Sequence, residues 1–176
     1  IAIVLWVKNG RPVIFIQKRP GYHGEIFMLY KFRTMRTDTM NPQGNVRTDN
    51  ERITDIGRFL RSTSLDELPE LINILSGEMS LVGPRPLLVA YLERYTPEQM
   101  RRHDVLPGMA GWAQINGRNL LTWDQKFSYD LWYVDHWSLW LDIKILAMTI
   151  WKVLKREGIS PAGQATMEEF LGSSEK

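Results

Sequence analysis

The sequence predicts an α+β fold, mainly helical, with a small antiparallel β-hairpin and amphipathic helices suited to a membrane surface. Three observations carry this expectation. Val13–Lys18 and Glu25–Met35 are rich in β-branched and aromatic residues and flank Arg19-Pro20-Gly21-Tyr22-His23-Gly24, the pattern of a hairpin with a long turn. From Glu51 onward apolar residues recur at helical spacing. Of seven Trp in 176 residues, five (Trp123, Trp132, Trp137, Trp140 and Trp151) fall in one stretch near the C-terminus.

The elements follow in chain order. Ile1–Val7 is an apolar run that reads as the end of a longer apolar segment, and a short buried strand or helix end fits it equally well. No run approaches the roughly 20 apolar residues of a spanning helix. In the second hairpin strand, a period of two puts Lys31 and Arg33 on one face. Thr34–Asn50 is polar, with Asn-Pro and a Gly, and reads as a surface loop. A helix is expected over Glu51–Arg61 with Ile53, Ile56, Phe59 and Leu60 inward, then another with Leu68, Leu71, Ile72 and Leu75 inward. Met79–Val82 is short and apolar, and Gly83-Pro84-Arg85-Pro86 is forced into a rigid extended turn. Helical pieces continue to about His103. A short strand, Trp112–Ile115, leads to a tight turn at Asn116-Gly117-Arg118. The chain is then mostly helical to about Gly158, and the polar residues from Ser160 are expected to fray.

Composition narrows the function. One domain with a real core fits 176 residues that are 44% hydrophobic. With 22 Lys+Arg against 20 Asp+Glu, the basic excess is too slight for a typical nucleic-acid binder, and none is expected as a partner. The absence of Cys excludes disulfides, thiolate catalysis and Cys-ligated zinc. Neither a P-loop nor a dinucleotide-binding Gly motif occurs, and there is no Asp-x-Asp. The three His are scattered, and His103, beside Arg101 and Arg102, reads as polar surface.

The adjacent carboxylates Asp66 and Glu67 draw attention first. Ser64-Leu65-Asp66-Glu67 matches a capping box, which is the simplest structural explanation of the pattern. Pro69 moves the first helical turn toward Asp66–Pro69. Either way, both carboxylates sit at a helix start, where the dipole favours the ionised form. Neighbours in sequence cannot flank a sugar from both sides as a glycosidase pair does. Two close hard oxygen ligands suit Mg²⁺ and phosphate chemistry instead. That chemistry needs fixed cations, and Lys31, Arg33, Arg58, Arg61, Arg85 and Arg118 are available. Most have a surface charge as their simplest explanation, but Arg85 between two prolines is a costly way to display one. On a helical wheel Trp140, Ile143, Leu146, Ala147, Ile150, Trp151, Val153 and Leu154 form one face, opposite Asp142, Lys144, Lys152, Lys155 and Arg156. That face suits either a membrane interface or a protein core.

Five motifs in order bear a family resemblance: Lys31-Phe32-Arg33-Thr34-Met35, SLDELP at Ser64–Pro69, LVGPRPL at Leu81–Leu87, PGMAGWAQINGRN at Pro107–Asn119, and Trp132-Tyr133-Val134-Asp135. Together the chain closely resembles the bacterial sugar transferases, the monotopic phosphoglycosyl transferases, over about Val13 to Gly158. The resemblance implies an end of a membrane-inserting segment at 1–12, a catalytic domain at 13–158 and a tail at 159–176. It implies Mg²⁺-dependent transfer of a sugar-1-phosphate from a UDP-sugar, with an N-acetylated amino sugar the expected class, to polyprenol phosphate. Asp66 matches the covalent nucleophile, and Glu67 its partner in placing Mg²⁺ and handling protons. Lys31, Arg61 and Arg85 match phosphate-site positions, Arg118 a position linked to the nucleotide, and Asp142 one near the active site. Membrane lipid is an expected partner, and the expected location is the cytoplasmic face of a bacterial inner membrane.

Overall fold

The computed structural model describes residues 1–40, 45–117, 121–155 and 169–172. It is α+β and mainly helical, as the periodicity predicts. Helix α1 (Ala2–Asn9) leads into the hairpin of β1 (Ile14–Pro20) and β2 (Ile26–Phe32), which pair antiparallel with Ile16 opposite Tyr30. Strand β1 runs further toward the turn than the sequence suggests, because Arg19 and Pro20 are still paired, whereas β2 is shorter than the expected Glu25–Met35. Phe27 and Leu29 alternate inward on β2 and pack on Met79 and the half-buried Ile74.

The single helix expected over Glu51–Arg61 is two, α2 (Asp49–Arg52) and α3 (Asp55–Ser62). Ile53 breaks the run by bridging to Met35, and Thr54 begins α3 by accepting a hydrogen bond from the Gly57 N–H. Leu60 is buried as expected, but Phe59 is exposed. Next comes α4 (Glu70–Leu75), followed by β3 (Ser80–Val82). A 3₁₀ stretch at Val89–Arg94, α5 (Pro97–Met100) and a 3₁₀ turn at Arg101–His103 form the expected run of helical pieces.

Strand β4 (Gly108–Ala110) pairs parallel with β3. A Cβ on Gly108 would lie 2.0 Å from the Gly83 nitrogen, so only glycine allows this approach. The strand expected at Trp112–Ile115 is instead a short helix, α6 (Trp112–Asn116), because the backbone pairing is used up by the preceding three residues. Helices α7 (Trp123–His136) and α8 (Leu139–Lys155) complete the core. Val82, Ala110, Ile115, Tyr133, Leu141 and Ile145 form one buried cluster, so the small parallel sheet rests on α6, α7 and α8. The wheel of α8 resolves into two faces. Leu141 and Ile145 are buried, whereas Trp140, Ile143, Ile150 and Trp151 are exposed.

Among the described residues no helix is long and apolar enough to cross a membrane. The fraying expected from Ser160 falls mostly outside the described residues, which in the tail are 169–172. Phe170 is buried with Tyr91 and Phe127, and its carbonyl accepts from Arg94.

Candidate active site

The chain reaches Asp66 and Glu67 through an unusual residue. Ser64 has φ 56°, a left-handed conformation that non-glycine residues rarely adopt, and its side chain caps nothing. The capping-box explanation is therefore corrected, since an N-cap residue needs extended dihedrals to aim its hydroxyl at the helix. Working capping boxes occur elsewhere, at Thr48/Glu51, Thr96/Gln99 and Thr122/Gln125. Leu65–Glu67 form one 3₁₀ turn, and Leu68 and Pro69 carry the helical dihedrals on into α4. The carboxylates thus stand at a helical start, in a tighter turn than a capping box would give.

Helix α4 is turned opposite to its apolar pattern. Leu68, Leu71, Ile72 and Leu75 are exposed, and Leu75 is 89% so. Glu70 and Asn73 are buried, at 2% and 0% exposure. Asn73 accepts from the Tyr30 N–H at 3.2 Å and donates to the Met28 carbonyl and to Glu78, both at 2.7 Å. Those bonds tie α4 to β2, and Lys31 follows from that registry. It shares the inward face of β2 with Phe27 and Leu29. Its Nζ lies 2.8 Å from Glu67 Oε1 and 3.0 Å from Glu70 Oε1. The Arg85 guanidinium donates to the same Glu67 oxygen.

The two neighbouring carboxylates are therefore unlike. Burial alone would raise the Glu67 pKa, but Arg85 and Lys31 overcome it and hold Glu67 well below the usual carboxylate range. Asp66 accepts no hydrogen bond from the described residues, and burial, then the charge of Glu67, pushes its pKa up. Lys31, Arg61 and Arg85 oppose that rise. Burial likewise raises Glu70, with Lys31 opposing. The result is one firmly ionised carboxylate locked to two cations, beside a second, unbonded carboxylate of higher basicity.

Of the other residues singled out in the sequence, Arg61 belongs to this cluster electrostatically, and its Nε donates to Thr34 Oγ1 at 3.0 Å. Arg33 does not join it. Its guanidinium is buried and donates to the carbonyls of Asn9, Gly10 and Arg11, holding the C-terminal end of α1. Asp142 is tied to α7, accepting from the Tyr133 hydroxyl at 2.7 Å and from Trp137 Nε1 at 3.2 Å. Arg118 lies outside the described residues. Arg58 stands at the surface near Asp55.

The sequence reading missed Glu70, although it follows Glu67 by three residues and so shares its helical face. It also missed Arg19, which lines a cavity of about 20 Å³ with Lys31, Glu70 and Arg85. Burial, then the charge of Arg85, lowers the Arg19 pKa to about 10, leaving three cationic side chains around one small polar space. A larger cleft of about 560 Å³, between Lys8 and Asn9 of α1 and the Arg36–Asp38 and Glu51–Ile56 segments, contains none of the clustered residues. His103 is corrected as well. It is buried, with Nδ1 2.9 Å from the Gly21 carbonyl, and burial lowers its pKa to about 4.

A cation would find suitable donors here. Asp66 has both oxygens available among the described residues, and Glu67 keeps Oε2 while Oε1 is taken. No group of three or more His, Asp or Glu among the described residues forms a ready cage. Mg²⁺ does not require one, since it is commonly held by one or two carboxylates with phosphate oxygens and water.

Comparison with known proteins agrees with the motifs. The family model described as Bacterial sugar transferase matches residues 1–156. The chain is 55% identical over 172 residues to the uncharacterized sugar transferase EpsL of Bacillus subtilis, covering 98% of this chain and 85% of that protein. It is 42% identical to the undecaprenyl-phosphate galactose phosphotransferase of Salmonella typhimurium, covering 90% of this chain and 37% of that protein. It is 44% identical to the UDP-glucose:undecaprenyl-phosphate glucose-1-phosphate transferase of Escherichia coli, covering 86% of this chain and 35% of that protein. The chain thus spans most of EpsL but only about a third of those two longer relatives. On the family match and on these identities, the chain belongs to the bacterial sugar transferases.

Proposed function

We propose that this chain transfers a sugar-1-phosphate from a UDP-sugar to polyprenol phosphate, with Asp66 as a covalent nucleophile. The observation that carries the reading is the unequal pair, with Glu67 locked between Lys31 and Arg85 and Asp66 left unbonded in the same cationic field. The names of the Salmonella and Escherichia relatives support the two substrates.

In the first step an Asp66 oxygen attacks the sugar-bearing phosphorus, and the bond from that phosphorus to the bridging oxygen breaks. UMP departs with the electron pair, leaving an aspartyl phosphosugar. In the second step a phosphate oxygen of the lipid attacks the same phosphorus and the Asp66 carboxylate is restored. No water is consumed, and every bond broken has a bond formed. Two in-line displacements let a soluble nucleotide and a lipid use one site in turn.

The residues divide the work. A raised pKa makes Asp66 the more basic nucleophile, while Lys31, Arg61 and Arg85 stabilise charge on the equatorial phosphate oxygens. Glu67 fixes the head groups of Lys31 and Arg85, so little reorganisation is needed when the diphosphate arrives. Mg²⁺ would be held by Asp66 and the free oxygen of Glu67, and when bound would neutralise diphosphate charge.

Helix α4 also supports a membrane setting. It follows the 3₁₀ turn that carries the carboxylates, and with Leu68 before it shows Leu71, Ile72 and Leu75 to its surroundings, an arrangement suited to lipid rather than water. The exposed Trp140 and Trp151 of α8 fit headgroup depth.

UMP release across a set of UDP-sugars, including N-acetylated amino sugars, tests the reaction. About one equivalent is expected without polyprenol phosphate and repeated turnover with it, each abolished by EDTA. Release only when the lipid is present would contradict a covalent intermediate.

A further inference from the structure

The turn Gly83-Pro84-Arg85-Pro86 puts Arg85 on Glu67, yet it has few means of holding itself. Pro84 and Pro86 have no N–H, so apart from the Gly83 N–H, which donates to the Ala110 carbonyl at 2.9 Å, the turn is held through its carbonyls. The Pro84 carbonyl accepts from the Gly108 N–H at 3.1 Å, which ties that end to β4. The Arg85 carbonyl accepts from Arg102 Nη2 at 2.8 Å.

Arg102 is itself immobilised. Its Nε and Nη2 donate to Asp130 Oδ2 of α7 at 3.1 and 2.7 Å, and both side chains are almost fully buried. A buried ion pair is a poor way to gain stability, because desolvation offsets the attraction and an apolar pair of similar volume often serves as well. Its use here calls for something that an apolar pair cannot do. A planar fork can grip a carboxylate and a backbone carbonyl at once, and only a donor can hold a carbonyl.

We propose that Arg102 and Asp130 are positioning residues that fix the backbone of Arg85, and through it the guanidinium that meets Glu67. The chain of contacts runs from α7 through Asp130, Arg102 and the Arg85 carbonyl to Glu67 Oε1. Neither residue touches substrate. The proposal rests on the reading of Arg85 as a phosphate-site cation.

The test removes both charges together. Arg102→Met with Asp130→Leu leaves neither member of the buried pair without the other, and only Lys126 loses a neighbouring opposite charge, so the fold is expected to survive with a urea midpoint near that of the full chain. Three measurements follow in detergent. The guanidinium ¹⁵N signals of Arg85, identified by their loss in Arg85→Lys, are expected to broaden or shift. The UMP-release kcat/KM is expected to fall about 10²-fold, as for a small misplacement of a reacting group. In an Arg85→Ala background the same two substitutions are expected to cause no further loss. A folded double variant with unchanged Arg85 signals and rate would overturn the proposal, as would losses that multiply with Arg85→Ala. If the double variant does not fold, Arg102→Lys replaces it with the same three readouts, since a lysine keeps the charge beside Asp130 but lacks the fork. Absence of UMP release from every UDP-sugar would sink the activity reading alone, because the Arg85 signals report position without turnover.

Discussion

Helices α4 and α8 solve opposite problems. In α8 the buried side is apolar, with Leu141 and Ile145 in the main cluster. In α4 the fully buried residues are polar, Glu70 and Asn73, with Ile74 half-buried beside them and the leucines outside. Each nevertheless shows an apolar stripe outward. The difference locates the site, because a core built from bonded polar groups is the only kind that can hold Lys31 ready between two carboxylates.

The largest expected effect separates the two kinds of core. Asn73→Leu adds apolar bulk but orphans the Tyr30 N–H and the Met28 carbonyl and leaves Glu78 with Ser76 alone, and is expected to cost roughly 4 kcal/mol in urea unfolding. Ile145→Ala in α8 removes only packing, at roughly 3 kcal/mol. A mild Asn73→Leu would erase the contrast.

Acid sensitivity comes next. His103 has its pKa lowered from 6.5 to about 4 by burial, so the unfolded chain binds more protons between those values. Stability is therefore expected to fall as pH drops from 6.5 toward 4. His103→Gln is expected to flatten that part of the curve, measured by unfolding at each pH. The carboxylate pair has its own signature. Because burial raises Asp66, the acid limb of UMP release is expected at higher pH than an ordinary aspartate would give, with activity gained as pH rises through it.

The smallest stability effects fall on the outward stripes. Leu75→Ser and Trp140→Ser are each expected to change stability by no more than about 0.5 kcal/mol while weakening binding to anionic lipid vesicles. Vesicle binding unchanged in both variants would remove the membrane reading of these faces.

Much of this was legible in the sequence, and the failures share a cause. Alternation in Glu25–Met35 gives the hairpin and the inward face of Lys31. Periodicity places a helix after the carboxylates but assigns its inward side by apolarity, which fails when bonded polar groups fill the interior. The same rule misassigned Phe59 and overlooked Glu70, Asn73 and His103. Lys31 and Arg33 do share a face, but reach separates them, since the Arg33 guanidinium finds the free carbonyls at the end of α1. The left-handed Ser64 has no marker in SLDELP, where a capping box is the simpler expectation. Phe170 looked like part of a loose tail because the aromatic side chains that bury it lie in distant segments.

The unequal carboxylates are tested most directly by intact-protein mass spectrometry after mixing with a UDP-sugar and Mg²⁺, with no lipid acceptor. The expected result is a mass increase of one sugar-phosphate unit on Asp66, lost on adding polyprenol phosphate and absent in Asp66→Asn. An adduct formed equally well by Asp66→Asn, or one mapped to Glu67, would contradict the assignment.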